Sequence, residues 1–180
     1  LLKVMEEPPE GVLFLLTADS LAGVLPTIRS RCVSFAIAPV SPADCARYCT
    51  AHGVDKKTAA LYSELFDGHI GTVLTAARDK ARTEQVDKAM ELARAAQAGD
   101  SYTAAVLLAP YEKDKAGAAA LLRDLRAVAA AGLQGSPHAP VQGQQAQRTL
   151  RLAEAAIQRL GAQVNPKIVL TVFAARLAHA

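Results

Sequence analysis

The chain has 180 residues, 20 Lys+Arg against 17 Asp+Glu, a formal net charge of +3 and a hydrophobic fraction of 51%. That apolar content is enough to bury a core and excludes a disordered segment, while so mild a charge is no argument for a nucleic-acid partner. Alanine fills 38 positions, Phe and Tyr together fill 8, and no apolar run reaches the roughly 20 residues of a membrane span; a β-sandwich or barrel is disfavoured and a mainly α fold is expected.

The chain opens on Leu1 rather than Met, and Lys3, Glu6 and Glu7 interrupt its first apolar run. This is no signal peptide, and it reads as a piece cut from a longer protein. Glu6-Glu7-Pro8-Pro9 ends a helix and starts a rigid turn. Val12-Leu13-Phe14-Leu15-Leu16 is a short continuous apolar run, as in a strand covered on both faces. A short helix fits residues 20–24, and Pro26 opens a turn over 27–30. Val33-Ser34-Phe35-Ala36-Ile37 alternates and is the second strand candidate. Two strands do not make a stable sheet, so this segment is expected to pack on another chain or to rearrange.

Residues 41–80 predict three short helices. Ser41-Pro42-Ala43-Asp44 combines a cap, a first-position proline and a first-turn acid. Gly53 ends that helix, Asp55 caps the next with Leu61 and Leu65 on one face, and a third spans about 70–80. Beyond, helices are predicted at 82–98, 101–109, 114–132, 143–163 and 166–178. Glu84 and Lys88 have the spacing of an i,i+4 ion pair. Leu121, Leu122, Leu125 and Val128 form the buried side of the 114–132 helix. Leu150, Ala153, Ile157, Leu160 and Val164 lie within about 80° on the next. Asn165-Pro166 opens the last helix, with Leu170, Phe173 and Leu177 inward. Residues 132–143, rich in Gly, Pro, Gln and His, predict a mobile loop.

Signals for catalysis are mostly negative. There is no phosphate-loop glycine motif, H-E-x-x-H, C-x-x-C or G-x-S-x-G. His52, His69, His138 and His179 are scattered. Cys32, Cys45 and Cys49 match no metal spacing and read as small buried apolar residues, in a reducing and therefore cytoplasmic compartment. Arg148, Arg151 and Arg159 form a row opposite the apolar stripe of their helix, which reads as a solvated face or as one turned to a partner or DNA. The densest constellation is Leu25-Pro26-Thr27-Ile28-Arg29-Ser30-Arg31-Cys32. Arginine is a permanent cation whose planar fork suits phosphate oxygens. On spacing alone, the segment is either a solvated basic loop or a turn that aims a guanidinium at a neighbour.

Leu1-Leu2-Lys3 through Glu6-Glu7-Pro8-Pro9, then Phe14-Leu15-Leu16-Thr17, then Leu25 to Cys32, resembles the second half of the nucleotide-binding domain of bacterial clamp-loader subunits. These are AAA+ proteins of DNA polymerase III. The resemblance is strongest over residues 1–38 and thins along the helical remainder. It implies a remnant of an α/β AAA+ domain with two strands over 1–38, a three-helix lid over 39–80 and a five-helix collar for oligomerisation over 81–180. ATP-hydrolysing gamma/tau-type members carry an arginine in a lid G-S-x-R-D motif. Here Gly68-His69-Ile70-Gly71-Thr72 puts Gly71 at that position, which is similar to the delta-prime type, as is Asn165-Pro166-Lys167. By resemblance, then, Arg31 is an arginine finger acting in trans on a neighbour's ATP, and Ser30 and a buried Cys32 shape its turn. Thr17 takes the sensor-1 position, either vestigial or a plain strand-end threonine. The resemblance also implies no activity from this chain alone, no cofactor and no metal. The implied partners are gamma/tau and delta subunits, with the sliding clamp and primer-template DNA reached through the complex, and no membrane. The alternatives are a gamma/tau-type ATPase fragment, or a free-standing helical adaptor or DNA-binding module.

Overall fold

The computed structural model of the protein describes residues 4, 6–7, 9–18, 20–38 and 40–178. They form two compact units, Leu1–Ala38 and Pro39–Ala180.

The first unit holds one turn of 3₁₀ helix, Leu21–Gly23, and a single-turn helix α1, Pro26–Arg29. Neither expected strand forms: residues 12–16 and 33–37 have no ladder partner, and no strand occurs among the described residues. The reason is that a strand needs a neighbour for its backbone groups, and two isolated runs supply none. Their side chains stay in water, with Leu13 and Leu15 each 88% exposed and Ile37 95% exposed.

Every regular element among the described residues of the second unit is a helix, including one 3₁₀ turn at Ala109–Tyr111. Its α-helices are α2 (Pro42–Ala51), α3 (Lys56–Leu65), α4 (Ile70–Arg78), α5 (Lys80–Ala98), α6 (Ser101–Leu108), α7 (Lys115–Leu133), α8 (Gly143–Gly161) and α9 (Pro166–Ala178). The mainly α expectation therefore holds. From α5 onward the predicted boundaries lie within two residues of these, because the caps are local. The Ser41 hydroxyl accepts from the Asp44 amide at 3.1 Å, Asp100 from Thr103 at 3.0 Å and Asn165 from Lys167 at 2.9 Å. The Asp55 carboxylate accepts from the Thr58 and Lys57 amides, and the Thr58 bond leads in holding its pKa below the ordinary range.

The core runs between α5, α7 and α8, with α6 and α9 closing one end. Leu92, Leu121, Leu122, Leu125, Val128 and Leu160 are buried, as are Leu170, Phe173 and Leu177 of α9. The buried face of α8 is rotated from the one expected. Ala146, Thr149, Ala153, Ala156 and Leu160 are inside, while Leu150 and Ile157 are half-buried at the edge. The helix packs on both α7 and α9, and small residues let the α7 and α8 backbones approach.

The 132–143 connection is not loose, contrary to expectation. Ala139 and Val141 are buried, Ser136 donates to the Glu64 carboxylate, and the Gln142 side-chain amide donates to the carbonyls of Ser136 at 2.8 Å and Ala139 at 2.9 Å. Gly132 permits this fold-back, since a Cβ there would lie 1.9 Å from the Val141 carbonyl oxygen. Gly68 is a second obligatory glycine: its φ is +72°, and a Cβ would meet the Val40 oxygen at 1.8 Å.

Candidate functional site

The arginine-bearing segment is built by nested local hydrogen bonds. Pro26 takes the first position of α1, and the Leu25 carbonyl accepts from the amides of Ile28 at 3.0 Å and Arg29 at 3.1 Å. The Ser30 amide donates to Pro26 at 3.0 Å and the Arg31 amide to Ile28 at 3.0 Å, which carries the turn one residue past the helix. A short, proline-started turn of this kind fixes the backbone from which residue 31 projects.

The Arg31 side chain folds along its own turn. Its Nη1 donates to the Thr27 carbonyl at 2.7 Å and to the Ser30 hydroxyl at 3.2 Å, and Ser30 in turn donates to Thr27 at 3.2 Å. Its Nη2 pairs with the carboxylate of Glu6. The Arg31 side chain keeps 34% of its surface open to water and that of Glu6 47%. The Ser30 hydroxyl thus bridges Arg31 and the Thr27 carbonyl. Cys32 is half-buried rather than buried, and its amide closes the turn onto Arg29 at 3.4 Å. Thr17 is exposed, and no described contact joins it to the Arg31 cluster. Nothing in the sequence singles out Glu6, where Glu6-Glu7-Pro8-Pro9 reads only as a helix end and a rigid turn. Twenty-five positions separate it from Arg31, and no local pattern announces the pairing.

Gly71 lies on the exposed side of α4's first turn, with nothing within 4 Å of where a Cβ would be. That position offers no cation. Arg148 is half-buried and donates to the Arg176 carbonyl at 2.6 Å near the end of α9, whereas Arg151 and Arg159 are exposed. The expected Glu84–Lys88 pair does not form; the Lys88 ammonium sits 5.7 Å from the Tyr111 ring centre. The Cys45 and Cys49 thiols are fully buried, and among the described residues no cluster of His, Cys, Asp or Glu is arranged to hold a metal. Two open surface grooves occur in the second unit: one of about 350 Å³ between α6 and α9 at Tyr102, the other of about 580 Å³ beside Arg126 and Glu154.

No helix among the described residues is long and apolar enough to cross a membrane. Neither a curated protein nor a solved structure matches the chain. Residues 1–41 are similar to the family described as DNA polymerase III, delta subunit, and that stretch holds both Glu6 and the Arg31 turn.

Proposed function

We propose that this chain is part of a non-hydrolysing, delta-prime-type subunit of the bacterial DNA polymerase III clamp loader, and that Arg31 is its arginine finger for the ATP of an adjacent motor subunit. On this reading residues 1–38 end a nucleotide-binding domain, 39–80 are the lid and 81–180 the collar. The partners are gamma/tau and delta subunits, the setting is cytoplasmic replication, and clamp and primed DNA are met through the assembly. The observation that carries the reading is a partly exposed guanidinium on a hydrogen-bonded turn inside the segment that matches the family.

The chemistry suits the role. Phosphoryl transfer gathers negative charge on the moving group, and a cation from the next subunit stabilises it; such fingers supply about 10³–10⁵ in rate in GTPases. A finger offered in trans makes hydrolysis depend on correct assembly. Gly71 supports a non-motor role, since glycine presents nothing to a γ-phosphate.

The test is Arg31→Ala in the full chain, within a reconstituted clamp loader. Clamp- and DNA-stimulated ATPase should fall by about tenfold or more while the subunits still co-elute. Wild-type turnover would remove the finger assignment. Gly71→Arg should leave the isolated chain without ATPase activity.

A further inference from the structure

We infer that Glu6 is a positioning residue for Arg31: its carboxylate, together with the Thr27 carbonyl and the Ser30 hydroxyl, sets the direction in which the guanidinium is presented. The inference rests on the finger reading above and adds to it a residue from a distant part of the sequence.

Arginine is long and flexible, and a guanidinium free to sample its rotamers must be ordered before it can meet a phosphoryl oxygen. Here that ordering is already in place. Nη1 is tied to the backbone of the turn at 2.7 Å and to the neighbouring hydroxyl at 3.2 Å, which fixes one corner of the plane. Contacts at Nη1 alone leave the group free to swing about that corner. Glu6 engages Nη2, the other terminal nitrogen, and removes this rotation. Anchors on two nitrogens from two stretches of chain define an orientation that the turn by itself does not.

Electrostatic stabilisation of the fold is a poor explanation for the pair. Both side chains are a third to a half exposed, and ion pairs so placed contribute little to folding. Their value is geometric. Among the described residues of the first segment, the carboxylates of Glu7 and Glu10 are exposed and have no contact with Arg31.

The experiment is a double-mutant cycle in the full chain, assembled with its partner subunits, reading stimulated ATP hydrolysis. Glu6→Ala should lower kcat by about three- to thirtyfold, as expected when a charged group loses its aim, and leave the KM for ATP unchanged, because ATP is held elsewhere. Glu6→Gln keeps an acceptor oxygen at the same reach and should recover part of the loss. In the Arg31→Ala background, Glu6→Ala should cost nothing further. An unchanged or raised kcat for Glu6→Ala, or an equal loss with and without Arg31, overturns the inference. If Arg31→Ala itself leaves turnover intact, the finger reading fails. If Arg31→Ala cripples turnover and Glu6→Ala does not, only the role of Glu6 is lost.

Discussion

The joint between α5 and α7 permits a prediction with a worked magnitude. Asp124 on α7 is 6% exposed. Its carboxylate accepts from Arg82 Nη2 at 2.5 Å and from Gln85 Nε2 at 2.8 Å, and also pairs with Arg82 Nη1. The Arg82 guanidinium in turn lies 5.7 Å from the Phe66 ring centre, which connects the end of α3 to the same cluster. Asp124→Asn preserves shape but removes the charge that faces Arg82. Breaking one side of a buried ion pair costs about 3–5 kcal/mol. Arg82 retains 25% of its side-chain exposure, so water compensates in part, and about 2–3 kcal/mol is expected here. For a chain of this size that is a fall in Tm of about 5–10 °C. Urea and thermal unfolding followed by circular dichroism measure it. The double change Arg82→Met with Asp124→Leu should cost less than Asp124→Asn alone, because no charge is stranded. A loss below about 0.5 kcal/mol for Asp124→Asn, or simple additivity of the Arg82 and Asp124 changes, would refute the reasoning.

Other expectations are as direct. Gly132→Ala should destabilise by about 2–4 kcal/mol, because the new methyl meets the Val141 carbonyl, whereas Gly71→Ala, in open space on α4, should stabilise by up to about 1 kcal/mol; chemical denaturation of both variants reads the contrast. Thr149 buries a hydroxyl with no partner, so Thr149→Val should be neutral or stabilising by about 1 kcal/mol. Burial first, and then Cys45, push the Cys49 thiol up to about 11 from its ordinary 9.0. The native state therefore holds that proton longer than the unfolded state does. This contribution to stability is complete below pH 9 and is lost as pH rises from about 9 towards 11. At pH 8 iodoacetamide should modify Cys32 quickly and Cys45 and Cys49 only on unfolding, read by mass spectrometry. Gln142→Ala should speed proteolysis and amide exchange over 134–142, since two carbonyls lose the donor that pins them.

The helical register of the second unit was legible because its signals are local. Ser41, Asp55, Asp100 and Asn165 satisfy amides two or three residues away, and proline at the first position of α2 and α9 needs no distant contact. The inward face of α9 was equally plain, with Leu170, Phe173 and Leu177 at helical spacing and buried as expected. The basic turn could be located but not completed, since its proline start lies beside Arg31 whereas Glu6 lies 25 positions away. The two strands failed for the converse reason: an apolar run specifies a strand only when a neighbour exists to pair it. Tertiary structure also turned α8 onto its small residues, pinned the loop through Glu64 and Gln142, and joined Arg82 to Asp124. Capping and periodicity are fixed within one or two turns of chain, whereas helix rotation, loop anchoring and ion pairing depend on which distant surfaces meet, and only the packed chain decides that.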